Sequence, residues 1–161
     1  MEIIDKKILT TKAIKLIEEE IKAIQSTIKS TEQQMKDAPG ANKSHSDTVR
    51  SQKEGLLIGF IKQLTEKQRS LTQLKGVSDV ATNRIITGSL VMVQSKGNNK
   101  YYLYFIVPGG GAKKITISGK TVILISPNSP VATGLLGHRV GDDVGCRIPD
   151  GIIQLKVIKI L

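Results

Sequence analysis

Apolar side chains recur at Ile14, Ile17, Ile21, Ile24, Ile28 and Met35, with Thr31 filling the one gap, so that steps of three and four alternate. Such alternation is a heptad seam, which keeps one narrow stripe on one side of a helix. Lys15, Glu18, Glu19, Lys22, Lys29 and Glu32 occupy the remaining positions and suit solvent. The pattern predicts a helix with Thr10 or Thr11 as its N-cap. It should stop at Pro39-Gly40, because proline disfavours the helical state at Ala38 and glycine accepts positive φ. A second run begins near Gly55 and places Leu57, Phe60, Ile61, Leu64, Leu71 and Leu74 on one side, with Lys67 and Gln68 as interruptions and an end at Gly76. Two seams of similar length joined by a short polar connection fold most economically as an antiparallel hairpin. A helical bundle or a dimeric coiled coil satisfies the same periodicity.

From Val77 onward the helical period disappears. Short β-rich runs occupy Ser89 to Gln94, Tyr101 to Val107, Ile115 to Ser118, Thr121 to Ile125 and Ile152 to Ile160. Gly97-Asn98-Asn99, Gly109-Gly110-Gly111, Gly119-Lys120 and Pro149-Asp150-Gly151 separate them with turn chemistry. Between Ser129 and Gly137 one short helix is expected over the sheet, with Ser129 as cap, Pro130 at its first position, Leu135 and Leu136 toward the core, and Gly137 as terminator. The fold class is therefore α+β: an N-terminal antiparallel helical hairpin over residues 1–76 and a small antiparallel β-rich domain over 77–161. The segment Gly109 to Lys114 superficially suggests a phosphate loop, but it lacks the spacing and leads into a strand. Asp142-Asp143 reads as a turn with a solvated acidic edge, since neighbours in a strand point to opposite faces.

The chain has 161 residues, 39% hydrophobic but only 3% aromatic, which allows modest cores and argues against a large enzyme core. Its net charge of +10 points to a polyanionic neighbour, nucleic acid or a complex carrying it. Both halves are basic. The longest apolar runs span only several residues, and Met1 is followed by Glu2, Asp5, Lys6 and Lys7, so a cytoplasmic protein without a membrane segment or leader is expected. Cys146 is the only cysteine, which excludes an intrachain disulfide and a multi-cysteine metal site; in its strand-like run it reads as a core filler.

Ile86-Thr87-Gly88-Ser89-Leu90-Val91 and the segment from Asn128 to Asp142, followed by a Pro-Asp-Gly turn and a terminal strand, resemble the C-terminal signature of the Gre-type transcript cleavage and elongation factors. The resemblance extends in length and pattern to the hairpin. It implies a C-terminal domain with an FKBP-like fold that docks on the rim of the RNA polymerase secondary channel, with Asn128, Ser129 and Pro130 as candidate contacts. The hairpin would reach inward, giving indirect contact with nucleic acid. In cleavage-competent members the hairpin tip carries a motif of the form Gly-Asp-Leu-Lys-Glu-Asn-Ala-Glu, whose two close acids help hold a second Mg²⁺; that ion prefers hard anionic oxygens.

Laying that motif along Gly40 to Asp47 puts Ala41 and Ser44 where the acids belong, and only Asp47 survives. Asp37 and Asp47 are the only acids from Asp37 through Lys53, so no shift of register restores the pair. The tip candidates are Ala41, Asn42, Lys43, Ser44, Asp47 and Arg50; with Lys36 and Lys53 they make a basic end suited to RNA, nucleotide phosphate or the polymerase's acidic site. His45 is read as a loop residue. The expectation is a monomeric, non-enzymatic RNA polymerase-binding factor, without a cofactor or metal of its own, that modulates elongation or initiation without efficient cleavage stimulation. The alternatives are a cleavage-competent factor with an atypical tip, a coiled-coil adaptor, and a peptidyl-prolyl isomerase. The last is disfavoured because the aromatic residues of the C-terminal half, Tyr101, Tyr102, Tyr104 and Phe105, lie along a single run.

Overall fold

In the computed structural model, residues 4–37 and 43–161 are described, and they divide into two compact units. One comprises Leu16–Leu71; the other joins Met1–Lys15 to Thr72–Leu161. The first helix, α1, runs over Lys6–Asp37, and the second, α2, over Lys43–Lys75. They have 32 and 33 residues, each about 50 Å of helix at 1.5 Å per residue. Both begin earlier than the periodicity suggests. Asp5, not Thr10 or Thr11, caps α1: its Oδ1 accepts from the Lys7 backbone N–H at 2.9 Å. Thr10 is already inside the helix and donates its hydroxyl back to the Lys6 carbonyl at 2.9 Å. The expected stop at Pro39-Gly40 lies outside the described residues.

Burial along α1 follows the heptad. Ile17 and Ile21 are buried, and Ile14, Ile24, Ile28, Thr31 and Met35 are partly covered; from Ile21 onward the residues between these positions are exposed. On α2 the covered positions are Lys53, Leu57, Phe60, Leu64, Lys67, Leu71 and Leu74, again in steps of four and three. This corrects the sequence expectation at Ile61 and gives the interruption read at Lys67 its place. Ile61 is half exposed and off the seam, whereas Lys67 is on it. Lys67 Nζ lies 2.9 Å from Glu20 Oε2, so the seam admits a charge because a carboxylate from the facing helix meets it.

The second unit is built on a six-stranded sheet: β1 Leu90–Ser95, β2 Tyr101–Ile106, β3 Lys113–Ile117, β4 Lys120–Ile125, β5 Asp143–Ile148 and β6 Gly151–Ile160. The spatial order is β3-β4-β2-β1-β6-β5. The sheet is mixed rather than wholly antiparallel, because β2 and β4 pair in parallel, Leu103 beside Val122 and Phe105 beside Leu124. A parallel pair needs a crossover, and the β3 hairpin supplies it by returning along the outer side of β4. The strand β5 bears out the strand-like run read around Cys146, to which the sequence assigned no bounds; Val144, Cys146 and Ile148 alternate as a strand should, but Gly145 between them weakens the signal.

The short helix α3, Pro130–Leu135, closes one face of the sheet. Ala132 and Leu135 join Val91, Val93, Ile106, Val144, Cys146, Leu155 and Val157 in one core. By alternation along the strands, Leu90, Leu103, Phe105, Val122 and Leu124 point to the opposite face and are also buried. The base of α1 lies beside that half of the sheet: Lys12 Nζ donates to the Thr116 carbonyl of β3 at 3.3 Å, and Leu9 and Ala13 are fully enclosed.

Candidate functional site

The two segments singled out in the sequence meet in space. Ile85 N–H donates to the His138 carbonyl and Gly137 N–H to the Ile85 carbonyl, both at 2.8 Å, while Arg84 Nη1 donates to the Gly137 carbonyl at 3.0 Å. The connection before β1 is thereby clamped to the exit of α3. Inside the first segment Ser89, only 2% exposed, accepts from Ile86 N–H through its hydroxyl at 3.0 Å. Its own buried oxygen is satisfied while it closes the turn that delivers the chain into β1.

The second segment builds α3 as its residue order demands. Ser129 has extended backbone angles, and its hydroxyl accepts from Ala132 N–H at 3.2 Å; Pro130 occupies the first helical position, where a missing N–H costs nothing. Gly134 is required by packing, since a β-carbon there would come within 2.6 Å of Cys146 Sγ. Gly137 adopts φ 85°, the left-handed conformation that turns the chain away from the helix. Asn128 and Pro130 are exposed and Ser129 is half-buried, so the candidate docking residues form an accessible edge of a tightly seated helix. Beyond it Asp142 Oδ2 accepts from Arg139 N–H at 2.9 Å and lies 3.2 Å from His138 Nδ1. The Arg139 N–H holds the Asp142 carboxyl below the usual carboxylate range, with desolvation opposing and His138 adding to the effect. Asp143 faces away and pairs with Lys96 at 2.9 Å. The adjacent aspartates thus have separate partners.

The described residues include part of the hairpin end. Ala41 and Asn42 lie outside the described residues, as do the side chains of Lys43, Ser44 and His45. Asp47 and Arg50 are exposed on the first turns of α2. Arg50 Nε lies 3.4 Å from Glu54 Oε1 one turn on, a local partner that offsets part of its charge. At the end of α1 both carboxylate oxygens of Asp37 accept from Gln33 Nε2 at 3.0 Å. Lys53 is half-buried on the seam rather than free at the end. Neither the Asp37–Gln33 bond nor the seam position of Lys53 was read from the sequence, although each lies at helical spacing from its neighbours. Among the described residues, no group of three His, Cys, Asp or Glu is arranged to hold a metal ion. No helix among them is long and apolar enough to cross a membrane.

Residues 80–161 match the family model described as "Transcription elongation factor, GreA/GreB, C-term". The transcription elongation factor GreA of Thermoanaerobacter pseudethanolicus is 30% identical over 159 residues, covering 95% of this chain and 96% of that protein. The GreA of Limosilactobacillus fermentum is 37% identical over 82 residues, but the match covers 51% of this chain and about half, 48%, of that relative. Among solved structures, GreA factor homolog 1 of Thermus thermophilus aligns over 92% of this chain and 94% of its own, with 16% identity and a TM-score of 0.40.

Proposed function

Because the chain belongs to the GreA/GreB family of transcription elongation factors, we propose that it binds RNA polymerase in the cytoplasm and modulates elongation or initiation from the secondary channel without stimulating transcript cleavage efficiently. The edge formed by Asn128, Ser129 and Pro130 makes the polymerase contact. The helical hairpin enters the channel and brings its tip close to nucleic acid.

The observation that carries the second half of this reading is the missing acid pair. Where cleavage-competent tips offer two close carboxylates, this chain has Ala41 and Ser44. A methyl group cannot ligate Mg²⁺, and a neutral hydroxyl stabilises it poorly. The two remaining acids do not make the pair: Asp37 is engaged by Gln33 on its own helix, and Asp47, at the last acid position of the window, is the single carboxylate the window keeps. Without hard anionic ligands there is no second metal to activate water against the transcript backbone.

The test combines association with core polymerase and cleavage of a backtracked elongation complex. Co-purification at a salt concentration where a cleavage factor also associates is expected, with cleavage near the factor-free rate. The double substitution Ala41→Asp with Ser44→Glu should raise cleavage at least tenfold. Failure to associate removes the polymerase reading, and strong cleavage by the unmodified chain removes the reading of the tip.

A further inference from the structure

The face of the sheet opposite α3 is covered over only half its width. Over β5 and β6 and at Tyr101 of β2 its residues are exposed, with Met92 and Gln94 of β1 half-buried between them, and the strand registers align these side chains in a row. Tyr101 is level with Gln94, Gln94 with Lys156, and Lys156 with Asp143. In the next row Met92 is level with Lys159, and toward the β5–β6 turn Arg147 is level with Ile152. Adjacent strands lie about 4.8 Å apart, so Tyr101 and Lys156 are separated by roughly 10 Å on a flat surface.

The chemistry of this quadrant is one-sided. Asp143, the carboxylate level with Lys156, is taken by Lys96 at 2.9 Å. Lys156, Lys159 and Arg147 are exposed, and no ion pair to them is present among the described residues. Tyr101 is 60% exposed, whereas Tyr102 and Tyr104 of the same strand stack on each other at 6.1 Å on the covered face. An open aromatic ring beside unpaired cations and side-chain amides is the combination that holds unpaired nucleotides: bases stack on the ring, cations follow the phosphates, and amides bond base edges. We infer that this open sheet quadrant is a binding face for single-stranded nucleic acid, with Tyr101 as the stacking platform and Lys156, Lys159 and Arg147 as the phosphate contacts. A duplex fits poorly, because its bases are already stacked and the face presents no helix for the major groove. An acidic polypeptide satisfies the cations but leaves Tyr101, Gln94 and Gln154 without a role.

Fluorescence anisotropy of the full chain with a labelled oligouridine of about 12 nucleotides tests this. Tyr101→Ala should weaken binding about tenfold at every salt concentration, since stacking is not screened, and Tyr101→Phe should restore it. Lys156→Gln and Lys159→Gln should each weaken binding and reduce the slope of log affinity against log salt by about 0.7. All three side chains are exposed, so thermal midpoints should stay at the wild-type value. The inference is overturned if there is no binding at about 100 mM salt, or if only a hairpin variant, Lys36→Gln with Lys43→Gln, loses it. Competition by poly-glutamate with Tyr101→Ala at wild-type affinity assigns the face to an acidic polypeptide and also overturns it. The assay contains no polymerase, so its failure leaves the proposed docking role standing.

Discussion

Along α1 the seam passes from Ile17, 2% exposed, to Ile24, Ile28 and Met35, all only partly covered, whereas in the sheet Leu90, Val91, Phe105 and Val122 are 0% exposed. A two-helix seam offers each apolar side chain one facing helix and leaves its flanks in water. Where the sheet is covered on both faces it encloses its side chains on every side. The difference suits the two roles proposed. A docking base must hold Asn128, Ser129 and Pro130 in fixed relation, and the cores beneath α3 supply that rigidity. A probe needs length, which a heptad provides with few enclosed residues.

The contrast is broken most directly by truncating one side chain in each unit. Phe105→Ala should cost about 4 kcal/mol and Ile28→Ala about 1 kcal/mol, because the second position is already half hydrated. All three tyrosines lie on β2, so tyrosine fluorescence during urea unfolding reports on the sheet unit while far-UV dichroism is dominated by the helices. Equal losses would show that the hairpin seam is as enclosed as the sheet core.

A smaller effect sharpens the account of the seam. Lys67→Ala should lower the thermal midpoint of the helical signal by an amount equivalent to about 1 kcal/mol, because it removes the ammonium 2.9 Å from Glu20 Oε2 beside the apolar stripe. Lys67→Met combined with Glu20→Gln should return stability to within about 0.5 kcal/mol of the starting chain, since an apolar residue suits a seam position. If the double variant falls further than Lys67→Ala, the ion pair itself holds the register.

The smallest effect concerns Asp142, whose folded-state pKa lies below its unfolded value. Its contribution is therefore fully present above the unfolded value, at about pH 4 and higher, and is lost as pH falls through the lower folded value. Asp142→Asn should lower the urea midpoint at pH 6, and the two proteins should converge near pH 2. A constant gap across that range would assign the effect to geometry rather than charge. The group is surface-exposed, so the difference should be modest and shrink with salt.

Much of the fold was legible because its signals are periodic or local. The heptad of α1, the cap and terminator of α3, and the turns between strands each depend on residues within a few positions of one another. The missed helix starts have a physical cause as well: Lys6 to Thr10 and Lys43 to Gln52 carry little of the apolar period, and the helix extends through them by capping and by continuity with the paired region. The site was legible only in composition. Ser129 and Pro130 were identifiable as helix-start residues, but that Ile85 would clamp Gly137 and His138 was not, since these positions are far apart along the chain.

The order of residues alone determined that two helices carry apolar seams in need of a partner helix, that a β-rich module follows, and that the tip window lacks a close acid pair, because periodicity and composition are properties of consecutive positions. Tertiary structure alone decided the parallel pairing of β2 with β4, the place of Lys67 opposite a carboxylate, and the open quadrant that aligns Tyr101 with Lys156. Each of these depends on which distant segment becomes a neighbour, and that choice is made by the mutual burial of faces that no short window contains.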